Sequence, residues 1–223
     1  MDSNHKQWNE EQQKLKRALA SNNTQKAIEL FLIQHAMVHS KKMSHSKLWS
    51  FEDEIWEGLS DATARCIPPN GEHSIVWIFF HLARIEDITM NMLVAGTPQL
   101  FLREGWSQKL KTTIQHSGNR MDERHVVRLS AAIDIDALRT YRSAVGRRMR
   151  EIVKKLTLEK LKQKVDPARL QKVMDEGAVT PEAIEIVNYW GKRTIAGLLL
   201  MPPTRHNFLH LNEALRIKQQ LEK

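Results

Sequence analysis

Apolar side chains recur along this chain at intervals of three and four residues, the spacing that gathers them on one face of a helix. No stretch alternates apolar and polar residues in the manner of a half-buried strand, and no Asn-Gly or Asp-Gly step is flanked by strand-like runs. The Asn70-Gly71 step follows Pro68-Pro69 and reads as a loop between helices. A first helix is predicted over residues 7–20. Thr24 is positioned to cap a second, reaching about residue 43, with Ile28, Phe31, His35 and Val38 near one face. Ser50 with Asp53 forms a capping arrangement before Ile55, Trp56 and Leu59.

Ser74 caps the next predicted helix, which runs to about Ala95 and is closed by Gly96-Thr97-Pro98. Its first turns are apolar nearly all round, so that end should be buried. Residues 103–130 read as short helix and loop. Asp134 or Asp136 opens a long helix carrying Leu138, Tyr141, Val145, Met149 and Val153. Asp166-Pro167 and Thr180-Pro181 each place a proline just inside a helix start. The run from Ile195 to Met201 is expected to end at Pro202-Pro203, and Thr204 to cap the last helix. The pattern gives an all-α fold, a four-helix bundle with additional short helices. Neither a repeat nor a flexible linker divides the chain. It is expected to form one domain over 1–223, with a core at about 25–220 and an N-terminal helix over 1–22.

Composition adds limits. With 41% apolar residues and 223 in all, the chain is long enough to bury a full core. The one cysteine, Cys66, allows neither an intramolecular disulfide nor a paired-cysteine zinc site. The polar start Met1-Asp2-Ser3-Asn4-His5-Lys6 lacks signal-peptide character, and no apolar run approaches the roughly 20 residues that span a bilayer. A soluble, cytoplasmic protein is expected. The formal charge of +8 comes from a local excess. Between Arg139 and Lys172 lie 12 Lys or Arg against Glu151, Glu159 and Asp166. Such a run either meets an anionic partner or forms a solvated helix face. The solvated face is favoured, because the run lacks interleaved aromatics and matches no nucleic-acid-binding pattern.

The candidate chemistry lies in the histidines. His206 and His210 stand four residues apart in Thr204-Arg205-His206-Asn207-Phe208-Leu209-His210, on one helix face with Glu213 and Ile217. His81 is set in the apolar segment Ile75-Val76-Trp77-Ile78-Phe79-Phe80-His81-Leu82, where a polar ring needs a partner. The reading taken is that His81, His206 and His210 hold one divalent metal between two helices. The alternative is a hydrogen-bonded buried pair near a helix start. Asn207 occupies the place of the glutamate in a His-Glu-x-x-His protease helix, and the chain has no Glu-x-x-His di-iron motif. An all-histidine or histidine-plus-water site remains, suited to zinc, nickel, copper or ferrous iron. A water or thiol completing such a site would lose its proton more readily.

Glu213 is a candidate to orient a ligand histidine or act as a base, against a surface carboxylate. A second pair, His35 and His39, lies near a helix end. His35 is a candidate substrate contact or partner to the metal site, while His39 reads as a helix-end residue beside Ser40, Lys41 and Lys42. His5, His45, His73, His116 and His125 read as surface or loop residues, and Trp77 as core.

The segment His73-Ser74-Ile75-Val76-Trp77 through His81-Leu82-Ala83-Arg84-Ile85-Glu86-Asp87 resembles the second helix of DinB-like proteins, the bacterial DinB/YfiT superfamily. Thr204-Arg205-His206-Asn207-Phe208-Leu209-His210-Leu211-Asn212-Glu213 resembles that family's last helix. The resemblance extends over about residues 25–220. It implies an up-down-down-up bundle, often a homodimer, with a divalent metal held at the positions of His81, His206 and His210. Zinc or nickel is the first expectation, iron or copper the second. It further implies kinship with thiol-dependent enzymes, the bacillithiol S-transferases and mycothiol-dependent maleylpyruvate isomerase. The expected function is therefore metal-dependent thiol S-transfer or hydrolysis of a small molecule, with a low-molecular-weight thiol as co-substrate and no role for nucleic acid or membrane. The rival is a non-enzymatic binding protein using the bundle pocket or the basic 139–172 face for an anionic partner. That basic stretch and its extra helix are the main departure from a minimal family member.

Overall fold

A computed structural model describes residues 3–21, 23–69 and 73–222. The Asn70-Gly71 step lies outside the described residues. Those residues form helices joined by short turns, with an isolated antiparallel bridge between Lys164 and Thr194 and no strand. The fold is all-α, as the apolar periodicity predicts.

Helix α1 covers Ser3–Ala20, starting earlier than predicted, and α2 covers Thr24–Val38. Asn23, one residue before the predicted Thr24, is the cap of α2, its side chain accepting from the Lys26 N–H. Helix α2 also stops short of residue 43. His39 turns to an extended conformation, and Ser40 caps a separate turn, α3 (Lys41–Ser44). Ser50 caps α4 (Phe51–Trp56) through the Asp53 N–H, as expected. A short α5 spans Asp61–Arg65.

Helix α6 (Ile75–Asp87) is capped by Ser74 and buried at every residue. Its axis continues as a π-helical stretch, Ile88–Ala95, ending at Gly96 in the left-handed region with φ 70°. Arg169 donates to the terminal carbonyls of Leu93 and Val94, so a side chain on Gly96 would collide with its guanidinium. Short α7 (Leu100–Arg103) and α8 (Trp106–Lys109) precede α9 (Glu123–Ala132). Asp134 caps the long α10 (Ile135–Lys154). Then follow α11 (Leu158–Lys162), α12 (Pro167–Asp175) and α13 (Ile184–Gly191). Helices α2 and α6 each pack against α10, and each also packs against the C-terminal helix α15 (Asn207–Leu221).

Pro202-Pro203 do not end a helix, and Thr204 does not cap one. Helix α14 (Ile195–Leu199) leads into a π-helical segment, Met201–His206, that contains both prolines and runs straight into α15. The prolines lack N–H groups, so nearby carbonyls need other donors. The Thr204 hydroxyl donates to Leu199 O at 2.9 Å, and the Gln12 amide donates to Leu200 O at 3.1 Å. The Asn207 amide donates to Pro202 O at 2.9 Å. Side chains thus carry the helix past a double proline, a widening of the kind often found at functional positions.

The basic stretch is only partly a solvated face. Arg147, Lys154, Lys155, Lys164 and Lys172 are exposed. Arg142 is buried, however, and donates to Glu52 at 2.6 Å, to Val38 O and to Asn207 Oδ1. Arg150 donates to Leu32 O at 2.7 Å. Several of these cations are therefore internal fastenings between helices.

Candidate metal centre

Helix α6 supplies His81, the final residue of the π-helical segment supplies His206, and the first turn of α15 supplies His210. One ring nitrogen from each lies within 4.8 Å of the others. His81 is buried to 1% exposure, and the other two are partly buried. The sequence-predicted trio is thus gathered in one place.

The hydrogen bonds around the rings decide which nitrogens are bare. His81 Nδ1 lies 2.7 Å from the Ser117 carbonyl. A carbonyl only accepts, so Nδ1 carries the proton and Nε2 presents a lone pair. His210 Nδ1 lies 2.7 Å from Glu213 Oε2, which fixes its tautomer in the same sense. His206 Nε2 is 3.2 Å from His81 Nε2, and His206 Nδ1 is buried without a hydrogen-bond partner. Two imidazole nitrogens bound to one tetrahedral zinc, at bonds of about 2.0–2.1 Å, stand about 3.3 Å apart. The donor set and its spacing fit a divalent ion. The carbonyl and the carboxylate behind His81 and His210 are the outer partners that metal-ligating imidazoles usually have.

Electrostatics keep His81 and His206 neutral. Burial, reinforced by His210, lowers His81 to about 3 despite the Ser117 carbonyl. Burial and then His81 and His210 push His206 well below the usual histidine range. Burial would raise the Glu213 carboxyl, but His210 and His73 outweigh it and hold the group at about 2. Glu213 therefore stays an anion facing His210, which favours the orienting role over that of a plain surface carboxylate.

His73 corrects its sequence reading. It stacks on Trp77 at 3.5 Å between ring centroids, Trp77 stacks on His81, and His73 Nδ1 is 3.6 Å from Glu213 Oε1. It belongs to the rim of the centre and not to a bare loop. His5 likewise packs among Trp49, Phe51 and Phe208. His116 is half-buried, its ring accepting from the Gly118 N–H. His45 and His125 are exposed, as expected. The Ser117 carbonyl escaped sequence reasoning, since a backbone acceptor leaves no side-chain signature. Its loop is held by the bond from Ser117 N–H to Ala178 O, and Gly118, at φ 87°, lies against the Trp77 indole. A cavity of about 320 Å³ opens beside His206, walled by Ile85, Ile186, Tyr189, Trp190 and Met201.

His35 does not join this trio. It forms a second buried group with His39 and Glu86, whose ligand-type atoms also lie within 4.8 Å of one another. His35 Nε2 is 3.1 Å from Glu86 Oε1 and His39 Nε2 is 3.0 Å from Glu86 Oε2. The reading of His39 as a helix-end residue beside the lysines fails, because its side chain is fully buried. It does end α2, but with the ring turned inward.

Fold and side chains together define an all-helical protein with interior His and Glu groups able to hold a metal ion. The family model described as DinB superfamily matches residues 49–214, well over half of the chain, and the protein belongs to that superfamily. Among curated proteins none matches it. No helix of the described residues is long and apolar enough to cross a membrane.

Proposed function

We propose that this protein is a metal-dependent enzyme acting on a small molecule, with His81, His206 and His210 as the ligands of one divalent ion, zinc or nickel first. The observation that carries the reading is the orientation of the trio. The Ser117 carbonyl and Glu213 each accept a hydrogen bond from the Nδ1–H of a histidine and leave its Nε2 lone pair for the shared space. The 3.2 Å contact between His81 Nε2 and His206 Nε2 puts two imidazole nitrogens at the spacing that ligands of one ion take, with a proton held between them until an ion replaces it.

When bound, the ion supplies Lewis acidity that eases deprotonation of a water or thiol. The chain's own residues do the rest. Glu213 and Ser117 orient the ligands. Trp77 shields one face of His81 by stacking. The cavity beside His206, with Tyr189 and Trp190, offers an apolar wall for an organic substrate and limits water there. These features support thiol S-transfer to an electrophile, or ester or amide hydrolysis, as the reaction class. The protein is expected to act in the cytoplasm as a homodimer.

The test is a paired assay of zinc- and nickel-loaded protein. One arm offers a low-molecular-weight thiol with an aryl electrophile, the other an activated ester. The reading expects turnover in one arm, abolished by chelator and by His206→Ala. Turnover in neither arm, or turnover indifferent to both treatments, would overturn it.

A further inference from the structure

The second cluster has a property that hydrogen bonding alone does not account for. His39 stands between two carboxylates. Its Nε2 is 3.0 Å from Glu86 Oε2, and its Nδ1 is 3.9 Å from Glu52 Oε2. A neutral imidazole carries one N–H, so one nitrogen must present a bare lone pair to an anion. Carrying both protons would require a buried imidazolium, and burial drives His39 the other way, to about 3. Burial lowers His35 as well. Glu86 meets His35, His39 and the Asn207 amide, and no lysine or arginine pairs with it among the described residues. Glu52 by contrast is paired with Arg142 at 2.6 Å. A buried carboxylate without a cation is costly.

We infer that His35, His39 and Glu86 form a second divalent-metal site, separate from the three-histidine centre. An ion between the Nε2 atoms and the Glu86 carboxylate supplies the missing positive charge. It also lets His39 carry its proton on Nδ1, which is buried without a hydrogen-bond partner and faces Glu52 Oε2 at 3.9 Å. The N···O separations of 3.0 and 3.1 Å suit two donors on one small ion. Two histidines and a carboxylate favour zinc, ferrous iron or manganese. Glu52, behind His39, also lines a surface cavity of about 310 Å³ with Ser40, Thr140 and Ser143. His35 and His39 precede residue 49, outside the stretch matched by the family model.

The test counts bound cobalt(II) and zinc per chain after exhaustive dialysis, in wild type, the double variant His206→Ala/His210→Ala, and Glu86→Gln. Two ions per wild-type chain are expected, falling to one in the double variant and to one in Glu86→Gln. The double variant leaves the second cluster untouched, so zinc should still raise its melting temperature, which tests that cluster without relying on the folding of Glu86→Gln. One ion in wild type, lost in the double variant, would overturn this inference and leave the proposed function standing. One ion kept in the double variant and lost in Glu86→Gln would do the reverse. Zero uptake by wild type would overturn both.

Discussion

Asn207 donates from its Nδ2 to Glu86 Oε2 at 3.2 Å, joining the helix of the first histidine centre to the carboxylate of the second cluster. Asn207 follows His206 in the chain, and Glu86 lies five residues beyond His81. The same amide accepts from Arg142 at 2.7 Å through Oδ1 and donates to Pro202 O. The position that sequence comparison with metalloproteases left merely empty of glutamate is therefore a buried junction. Asn207→Ala should destabilise the fold by about 2–4 kcal/mol, because it removes one buried hydrogen bond from Arg142, one from Glu86 and one from the Pro202 carbonyl. Urea unfolding measures this, and a change below about 1 kcal/mol would contradict the junction.

Glu213 governs the direction of His210 through the 2.7 Å bond to Nδ1. Glu213→Ala should weaken zinc binding at the three-histidine centre by about 10- to 100-fold while leaving the helical content unchanged. Competition with a chromophoric chelator reads the affinity, in the Glu86→Gln background if a second ion is present. Unaltered affinity would show that Glu213 does not orient the ligand.

Tyr141 gives the alkaline limb of stability. Its hydroxyl is buried, donates to Asp87 at 2.6 Å and accepts from Arg84 at 2.9 Å. Burial first, and then Asp87, raises it well above 10. Above about pH 10 the unfolded chain loses this proton while the folded chain keeps it. The unfolded state then binds fewer protons, so stability is full below pH 10 and falls as pH rises beyond it. Unfolding free energy measured from pH 9 to 11 should fall more steeply in wild type than in Tyr141→Phe. Equal slopes would show that the phenol titrates normally.

How much of this was legible in the chain depends on whether a residue's role is local. Ser50, Ser74 and Asp134 announce helix starts through their own side chains, and the structure uses each as a cap. That His206 and His210 share a face was legible from helical spacing, whereas joining His81 to them drew on its apolar setting and on the family resemblance. Thr204 misled, because its hydroxyl turns back to Leu199 once Gln12, from the other end of the chain, and Asn207 help carry the helix through Pro202-Pro203. His39 was hidden by its neighbours. The exposed lysines after it suggest a surface, and only the packing of α2 against α10 and α15 shows the ring turned to Glu86. The Ser117 carbonyl had no sequence signal at all.

Thr204→Val tests the passage through the prolines. It should cost about 1–3 kcal/mol by leaving the buried Leu199 carbonyl without its donor, and it should also loosen zinc binding through His206. Calorimetry reads the first effect and chelator competition the second. A neutral substitution would mean that the carbonyl finds another donor.

The central claim is that His81, His206 and His210 converge on one ion. A crystal grown with zinc and measured at the zinc absorption edge tests it most directly. The account predicts an anomalous peak among the three Nε2 atoms, at about 2.0–2.1 Å from each. A map from zinc-saturated crystals with no peak between these rings would contradict it.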